Sequence, residues 1–456
     1  MRSDDLTTIA SLADEQVRRG NVPGEDALAL LFVAKHGDNL RYVAKWGRWL
    51  RWTGAIWRED ETLAVFDLIR ETCRKELGEK AKGLDAKTVA GVERLARSDR
   101  RVAATVDQWD VDAWLLNTPG GTVDLRTGRK QDHRRDDYCT KLTAIAPDGG
   151  CPLWHAFLAR ITGDDHELVG FLRRMCGYTL TGSTQEHALF FGYGTGGNGK
   201  GVFISTISGI LGDYATTAPM ETFIASHNDR HPTELAGLRG ARLVTAQETE
   251  EGRRWAESKI KALTGGDKIS ARFMRQDFFE YTPQFKLLIV GNHKPGLRGV
   301  DEAMRRRMNL IPFTVTIPPE ERDEKLPEKL KDEWPGILQW AIDGCAEWQG
   351  EGLAQPEAVR KATDDYLAAE DALAQWLAER CQLRSSFYTP LKDLFADWSK
   401  WAETAGEDPG SQKRFSQKLE TRDGLRKRQQ AGTNRAGFDG IGLIPEYSSD
   451  HSGDAL

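Results

Sequence analysis

A chain of 456 residues exceeds one ordinary hydrophobic core and, at about 150 residues per domain, predicts about three domains. Hydrophobic residues at 39% and charged residues at 29% describe a soluble globular protein, and the formal net charge of -6 excludes a uniformly basic surface, so any nucleic-acid contact must come from local patches. Cys73, Cys139, Cys151, Cys176, Cys345 and Cys381 are scattered without a CxxC pair, which fits neither a disulfide framework nor a zinc site and points to a reducing cytoplasm. The first residues are polar and acidic, and no apolar run approaches the length of a membrane span, so no membrane partner is expected.

In chain order, residues 6–17 carry an amphipathic pattern and residues 27–33 a second apolar segment. Trp46, Trp49, Trp52 and Trp57 then surround Thr53-Gly54, which reads as a β-hairpin, followed by a helix over 62–77. With Arg48, Arg51 and Arg58 between them, these rings could stack on single-stranded bases. The preferred reading is a small core beneath a hairpin. A boundary is expected near Asp107, and residues 115–125 bring turn and strand signals. From 151 to 180, apolar residues such as Trp154, Phe157, Leu168 and Phe171 recur at helical spacing, a module expected to serve packing or subunit contact.

Next come Gly194, Thr195, Gly196, Gly197, Asn198, Gly199 and Lys200, directly behind the apolar run 188–191 and ahead of Val202-Phe203-Ile204. A strand, a glycine loop and a helix in this order form a phosphate-binding loop. Glycines let successive N–H groups turn around a polyphosphate, the helix start adds its positive dipole end, and Lys200 can reach the β- and γ-phosphates. The position after the lysine, where a Ser or Thr hydroxyl would ligate Mg²⁺, holds Gly201. Asn198, Ser205 or water could compensate in part.

Such a loop needs carboxylates at a strand end to hold Mg²⁺ and polarise water. Glu248 follows the apolar strand 243–246 and is the expected metal-side carboxylate, with Glu250 as base or its partner. The buried-strand pattern 287–290 ends in Gly291-Asn292, and Asn292 could orient water or sense the γ-phosphate. Pro318-Pro319-Glu320 closes this α/β unit. Helices are expected over 334–348 and from 357 to 381. The remainder, with helices over 390–401 and 411–421 and a glycine-rich reversal between 425 and 443, has the order of a winged helix-turn-helix. On its candidate recognition helix Lys413, Arg414, Lys418 and Arg422 lie at helical spacings, suited to duplex phosphates, and Arg426-Lys427-Arg428 opens the wing.

The glycine loop, Glu248 and Glu250, the segment 261–268, Asn292-His293-Lys294-Pro295, and the run 301–307 with Leu310-Ile311-Pro312-Phe313 come in the order of superfamily 3 helicases. More closely, the chain resembles the primase-helicases of bacteriophages, plasmids and poxviruses. The resemblance implies an α/β fold: an AAA+ P-loop NTPase core with a helical N-terminal region and a C-terminal winged-helix domain. The units expected are 1–107, 108–185, 186–318, 319–381 and 382–456. It implies ATP and Mg²⁺ as cofactors and a homo-oligomeric ring, usually a hexamer, with ATP between subunits. Arg307, directly before a strand, is then the favoured arginine finger and Arg306 the runner-up. Residues 261–280 correspond to a pore hairpin on which Lys268, Arg272, Phe273 and Arg275 would grip one strand. Longer relatives carry a primase domain ahead of the helicase. The roughly 108 residues before Trp109 are too few for it, so primase activity is not carried over, and a separate primase could be a partner.

The reading is an ATP-dependent ring helicase that translocates on single-stranded DNA and unwinds forked DNA during replication of a phage or plasmid, in a bacterial cytoplasm. A nucleotide-controlled DNA-binding initiator and a P-loop kinase for a small molecule are the alternatives.

Overall fold

In the computed structural model, residues 23–78, 81, 84–225, 233–248, 252–275, 277–297, 301–420, 422–429 and 436–444 are described. The amphipathic segment 6–17 lies outside them. The first unit comprises α1 (Glu25–His36), β1 (Leu40–Val43), β2 (Arg48–Trp52), β3 (Trp57–Glu59), α2 (Ala64–Leu77), α3 (Ala86–Ala96) and β4 (Ala103–Ala104). Its strands form one sheet in the order β3-β2-β1-β4, so the N-terminal region is mixed α/β rather than helical. α2 starts two residues later than expected because Leu63 sits at φ 58°, while the Asp60 carboxylate accepts the Ala64 and Val65 amides at 3.0 and 2.8 Å and caps the helix. The tryptophans do what the bland reading expects. Trp57 is buried with Val43, Leu50 and Trp109, its indole donates to the Arg135 carbonyl at 2.9 Å, and Trp49 donates to Glu93.

Where residues 115–125 carry turn and strand signals, the unit ahead of the core opens with a three-stranded antiparallel meander, β5 (Leu115–Thr118), β6 (Gly121–Asp124) and β7 (Arg129–Gln131). Two helices follow, α4 (Pro152–Thr162) and α5 (His166–Leu180).

The central unit runs through β8 (Leu189–Tyr193), α6 (Lys200–Leu211), β9 (Ala215–Thr217), α7 (Thr233–Ala236), β10 (Leu243–Glu248), α8 (Glu257–Thr264), β11 (Ile269–Ala271), β12 (Phe279–Tyr281), β13 (Lys286–Gly291), α9 (Glu302–Arg305) and β14 (Met308–Pro312). Five strands make a wholly parallel sheet in the order β14-β8-β13-β10-β9. Both faces are covered. Phe190, Leu243, Leu288 and Ile311 face α4, α5 and α6, whereas Leu189, Phe191, Val244, Leu287, Ile289 and Leu310 face Trp255 and Ile260, as the period of two along buried strands requires. In such sheets a ligand crevice opens at the carboxyl ends of the strands, where the strand order reverses. β8 and β13 meet there.

After the sheet come α10 (Leu326–Asp332), α11 (Trp334–Glu351) and α12 (Glu357–Ala369). α11 crosses α5 so closely that a Cβ on Gly177 would stand 2.1 Å from the Cys345 nitrogen. The single helix expected over 357–381 is broken at Glu370-Asp371. Asp371 caps the new helix α13 (Ala372–Arg380) by accepting the Ala374 amide, and Glu370 accepts the Leu297 amide at 2.7 Å. α13 belongs to the last unit with β15 (Cys381–Pro390), α14 (Leu391–Thr404), α15 (Gln412–Glu420), β16 (Arg426–Gln429) and β17 (Ala436–Leu443). Leu373, Trp376 and Leu377 share its core with Leu394, Trp398, Phe415 and Phe438, so the boundary expected at 382 falls inside the unit. Its sheet runs β15-β17-β16, antiparallel throughout. No helix among the described residues is long and apolar enough to cross a membrane.

Candidate functional site

The glycine loop joins the end of β8 to the start of α6, and its backbone explains its composition. Gly196, Gly197 and Gly199 have φ of 101°, 61° and 79°, a region that strains any residue with a Cβ. Space is equally restrictive. A Cβ on Gly194 would lie 2.1 Å from the Phe313 carbonyl oxygen, and one on Gly199 2.5 Å from Ile161 of α4. Asn198 is buried and braces the loop, donating through Nδ2 to the Phe313 carbonyl at 2.8 Å. Its Oδ1 accepts from Lys200 Nζ at 3.0 Å, and Lys200 also donates to the Gly194 carbonyl at 2.7 Å. Thr195 is exposed at the rim.

Lys200 is only 7% exposed, and burial lowers its pKa from the usual lysine value. Its third partner is Asn292 Oδ1 at 3.4 Å, so two candidates 92 positions apart meet at one strand end. Glu248 closes β10 directly beside them, with its backbone in register with Gly291. Glu250 lies outside the described residues. Loop, helix start, lysine, strand-end amide and strand-end acid thus share one end of the sheet, the arrangement that a polyphosphate requires.

The arginine run behaves differently from expectation. Arg307 is 7% exposed and turned into its own subunit: Nε donates to Thr264 Oγ1 at 3.1 Å and Nη1 to the Ala303 carbonyl at 2.8 Å. The favoured finger is therefore a structural residue. The reason lies in the register, because β14 begins one residue later and the side chain before a buried strand is drawn under its edge. Arg305 is exposed and pairs with Asp364 at 3.1 Å. Arg306 is exposed and walls a cavity of about 850 Å³ with His166, Arg174, Glu186, Gln355 and Arg360. It stands at the opposite end of the sheet from the glycine loop, since Pro312 of β14 is the residue beside Tyr193. At 3.3 Å per strand residue, the Arg306 backbone is roughly 20 Å from the loop end of β14.

The segment 261–280 forms an antiparallel hairpin, β11 against β12. Its tip is apolar and cationic: Phe273, Met274 and Phe278 are exposed, the Arg272 guanidinium lies 4.7 Å from the Phe278 ring centroid, and Arg275 and Lys268 are exposed. Phe273 stacks on Phe279 at 5.7 Å. Such a surface suits stacking on bases without reading their edges. On α15, Lys413 and Arg414 are exposed. Lys418 is not a free surface cation. It is half-buried, and burial lowers its pKa against the opposing pull of the Asp371 and Glu257 carboxylates. Arg422 is likewise held by both Asp371 oxygens at 2.7 Å.

Two structural cations escaped the sequence reading. Arg242 is buried, donates to the Leu180 and Leu115 carbonyls at 2.6 Å each, and fastens the meander to the sheet. Lys286 is buried beside it, bonded to the Thr181 carbonyl, and burial holds its pKa well below the usual value. Charges at the starts of two apolar strands were the only signal.

Residues 29–163 match the family model described as D5 N terminal like, and residues 192–307 match one described as a family of unknown function, DUF5906. The second match runs from the end of β8 to Arg307 and so spans the loop, both strand ends and the hairpin. Among viral relatives, "Putative helicase L207/L206" of Acanthamoeba polyphaga mimivirus is 24% identical over 59% of this chain and 31% of its own length. "Putative helicase 022R" of Frog virus 3 (isolate Goorha) is 26% identical over 66% of this chain and 32% of its own. The chain is a relative of the D5-type superfamily 3 helicases. The chain spans about a third of the length of those relatives. The solved apo structure of the NrS-1 C terminal region shares its fold, with a TM-score of 0.52 and 10% identity over 88% of this chain and 96% of that one.

The chain departs from the usual phosphate loop at Gly201, where a Cβ would meet nothing within 4 Å. A hydroxyl there is sterically free. Asn198 cannot replace it, because its amide is consumed by Phe313 and Lys200. Ser205 sits one helical turn further on, its hydroxyl donating to the Val202 carbonyl at 3.1 Å. No cluster of three or more metal-type side chains occurs among the described residues. Gly201→Ser is therefore expected to lower the Mg²⁺ concentration needed for half-maximal ATP turnover by about threefold or more, the order of one added hydrogen bond's free energy. An unchanged Mg²⁺ titration would dispose of that role for position 201.

Proposed function

We propose that this chain is an ATP-driven DNA helicase that works as a ring of identical subunits during replication of a phage or plasmid. The strand order β14-β8-β13-β10-β9 with a phosphate loop after β8 supports an AAA+ core, and the helix-strand-helix-helix-strand-strand order of the last unit supports a winged helix. One observation carries the reading. The loop end of the sheet gathers Lys200 and Asn292, while Arg306, exposed and without a side-chain bond among the described residues, stands at the other end. A cation so placed can serve a triphosphate only in an adjacent copy. A monomeric small-molecule kinase has no use for it.

ATP fits the residues present. The loop amides, the start of α6 and Lys200 would hold the phosphates, and Glu248, whose backbone ends β10 beside Gly291, would be the residue to hold Mg²⁺ or polarise water. Hydrolysis forms a bond from a water oxygen to the γ-phosphorus and breaks the β–γ bridge, the bridging oxygen leaving on ADP and the water's proton passing to a carboxylate. Arg306 of the neighbour would neutralise charge on the transferring group. The hairpin tip, with Arg272 and Phe273, would carry the strand, and Lys413 and Arg414 would position duplex through phosphates.

Forked DNA with each tail polarity in turn, incubated with ATP, tests this reading, alongside a mass measurement in a non-hydrolysable ATP analogue. Strand separation that requires ATP, by an assembly of several subunits, is the expected result. Tight duplex binding without separation would favour the initiator alternative.

A further inference from the structure

The chain that leaves β14 doubles back over the glycine loop. Phe313 donates its amide to the Tyr193 carbonyl at 2.8 Å and accepts the Asn198 amide on its own carbonyl. Four residues on, Ile317 donates to the Gly197 carbonyl at 2.8 Å. Pro318 and Pro319 then fix the backbone into a short turn, which Glu321 ties to α4 by pairing with Arg160. The next residue, Arg322, folds inward: its Nε donates to the Ile317 carbonyl at 2.8 Å. Its terminal nitrogens lie on the loop itself, for a Cβ on Gly197 would stand 2.3 Å from Nη2 and 2.9 Å from Cζ.

A plain surface arginine could cap the Ile317 carbonyl through Nε alone. That role leaves two terminal nitrogens and four N–H donors without a protein partner among the described residues, on an exposed side chain held against the middle glycine of a phosphate loop. The planar fork of a guanidinium matches two phosphate oxygens at once. Lys200 supplies a point charge from inside the loop; Arg322 supplies a fork from outside it.

We propose that Arg322 is a second cation of the nucleotide site, contacting the terminal phosphate of a triphosphate bound in the same subunit and so discriminating triphosphate from diphosphate. The inference rests on the nucleotide-site reading above and adds to it a residue from outside the loop. It places cations at both ends of β14, Arg322 on the strap that follows it for the subunit's own nucleotide and Arg306 ahead of it for the neighbour's.

The test is equilibrium binding of fluorescently labelled ADP and of a labelled non-hydrolysable ATP analogue to the full chain and to Arg322→Ala, Arg322→Lys and Lys200→Ala. Arg322→Ala is expected to weaken the triphosphate analogue by about tenfold to a hundredfold, the worth of a charge-assisted hydrogen bond, while ADP affinity changes by less than about twofold. Arg322→Lys should recover part of the loss. Equal weakening of both nucleotides, or no change in their ratio while Lys200→Ala abolishes binding, overturns the role of Arg322 and leaves the nucleotide site standing. Failure of the unaltered chain to bind either nucleotide overturns both. Circular dichroism of Arg322→Ala should match the unaltered chain, because the side chain is exposed; a lost fold with normal binding by Arg322→Lys would make the residue structural.

Discussion

Lys200→Ala is expected to abolish ATP turnover and to weaken triphosphate binding by about 100-fold or more. The ammonium is nearly enclosed by the loop it serves, bonded to the Gly194 carbonyl, Asn198 and Asn292. Enclosure makes its charge count. In a site of low dielectric, a charge-assisted contact to phosphate is worth about 1.5–3 kcal/mol in binding, and more where charge builds up during transfer. Burial already lowers the lysine's pKa, so its protonated form is held at a cost that a bound phosphate would offset. Removal should also free the Asn198 Oδ1 and Asn292 Oδ1 acceptors, loosening the tie between the loop and β13. Retained hydrolysis in this variant would refute the site.

Arg306→Ala is expected to leave nucleotide binding intact and to reduce DNA-stimulated hydrolysis by about 10³ to 10⁵, the worth of a guanidinium at a phosphoryl transition state. The side chain cannot reach its own loop across the length of β14. Mixing Arg306→Ala with Lys200→Ala should therefore restore part of the activity, because a mixed ring contains sites that combine an intact loop with an intact arginine. Absence of restoration, with mixed assemblies demonstrated by mass, would exclude shared sites. Arg307→Ala should act through stability instead. Loss of its bonds to Thr264 and Ala303 should lower folding stability by about 1–3 kcal/mol, read as a reduced midpoint in denaturant.

The glycine-loop end of the sheet was legible because its pattern is local. Glycines that need positive φ, a lysine at the helix start, and acids or amides at the ends of apolar strands all announce themselves over a few residues. The arginine assignment failed for the opposite reason. Arg306 and Arg307 are adjacent and chemically identical, and only the packing of α8 and its Thr264 beneath β14 decides which one is drawn inward. Lys418 is a similar case: helical spacing placed it beside Arg414, but the Asp371 and Glu257 carboxylates that act on it come from other elements of the chain. The long helix expected over 357–381 was broken by Glu370 and Asp371, whose partners again include a distant amide at Leu297.

What the amino-acid order determined by itself is the phosphate loop, the parallel strands that flank it, and the basic and aromatic hairpin, since backbone conformation and side-chain period are properties of neighbours in the chain. Only the tertiary structure decided that Asn292 meets Lys200, that Arg306 is exposed while Arg307 is buried, and that Arg322 lies on Gly197. Those outcomes depend on which element covers which, and burial and long-range hydrogen bonds are set between residues that no local pattern connects.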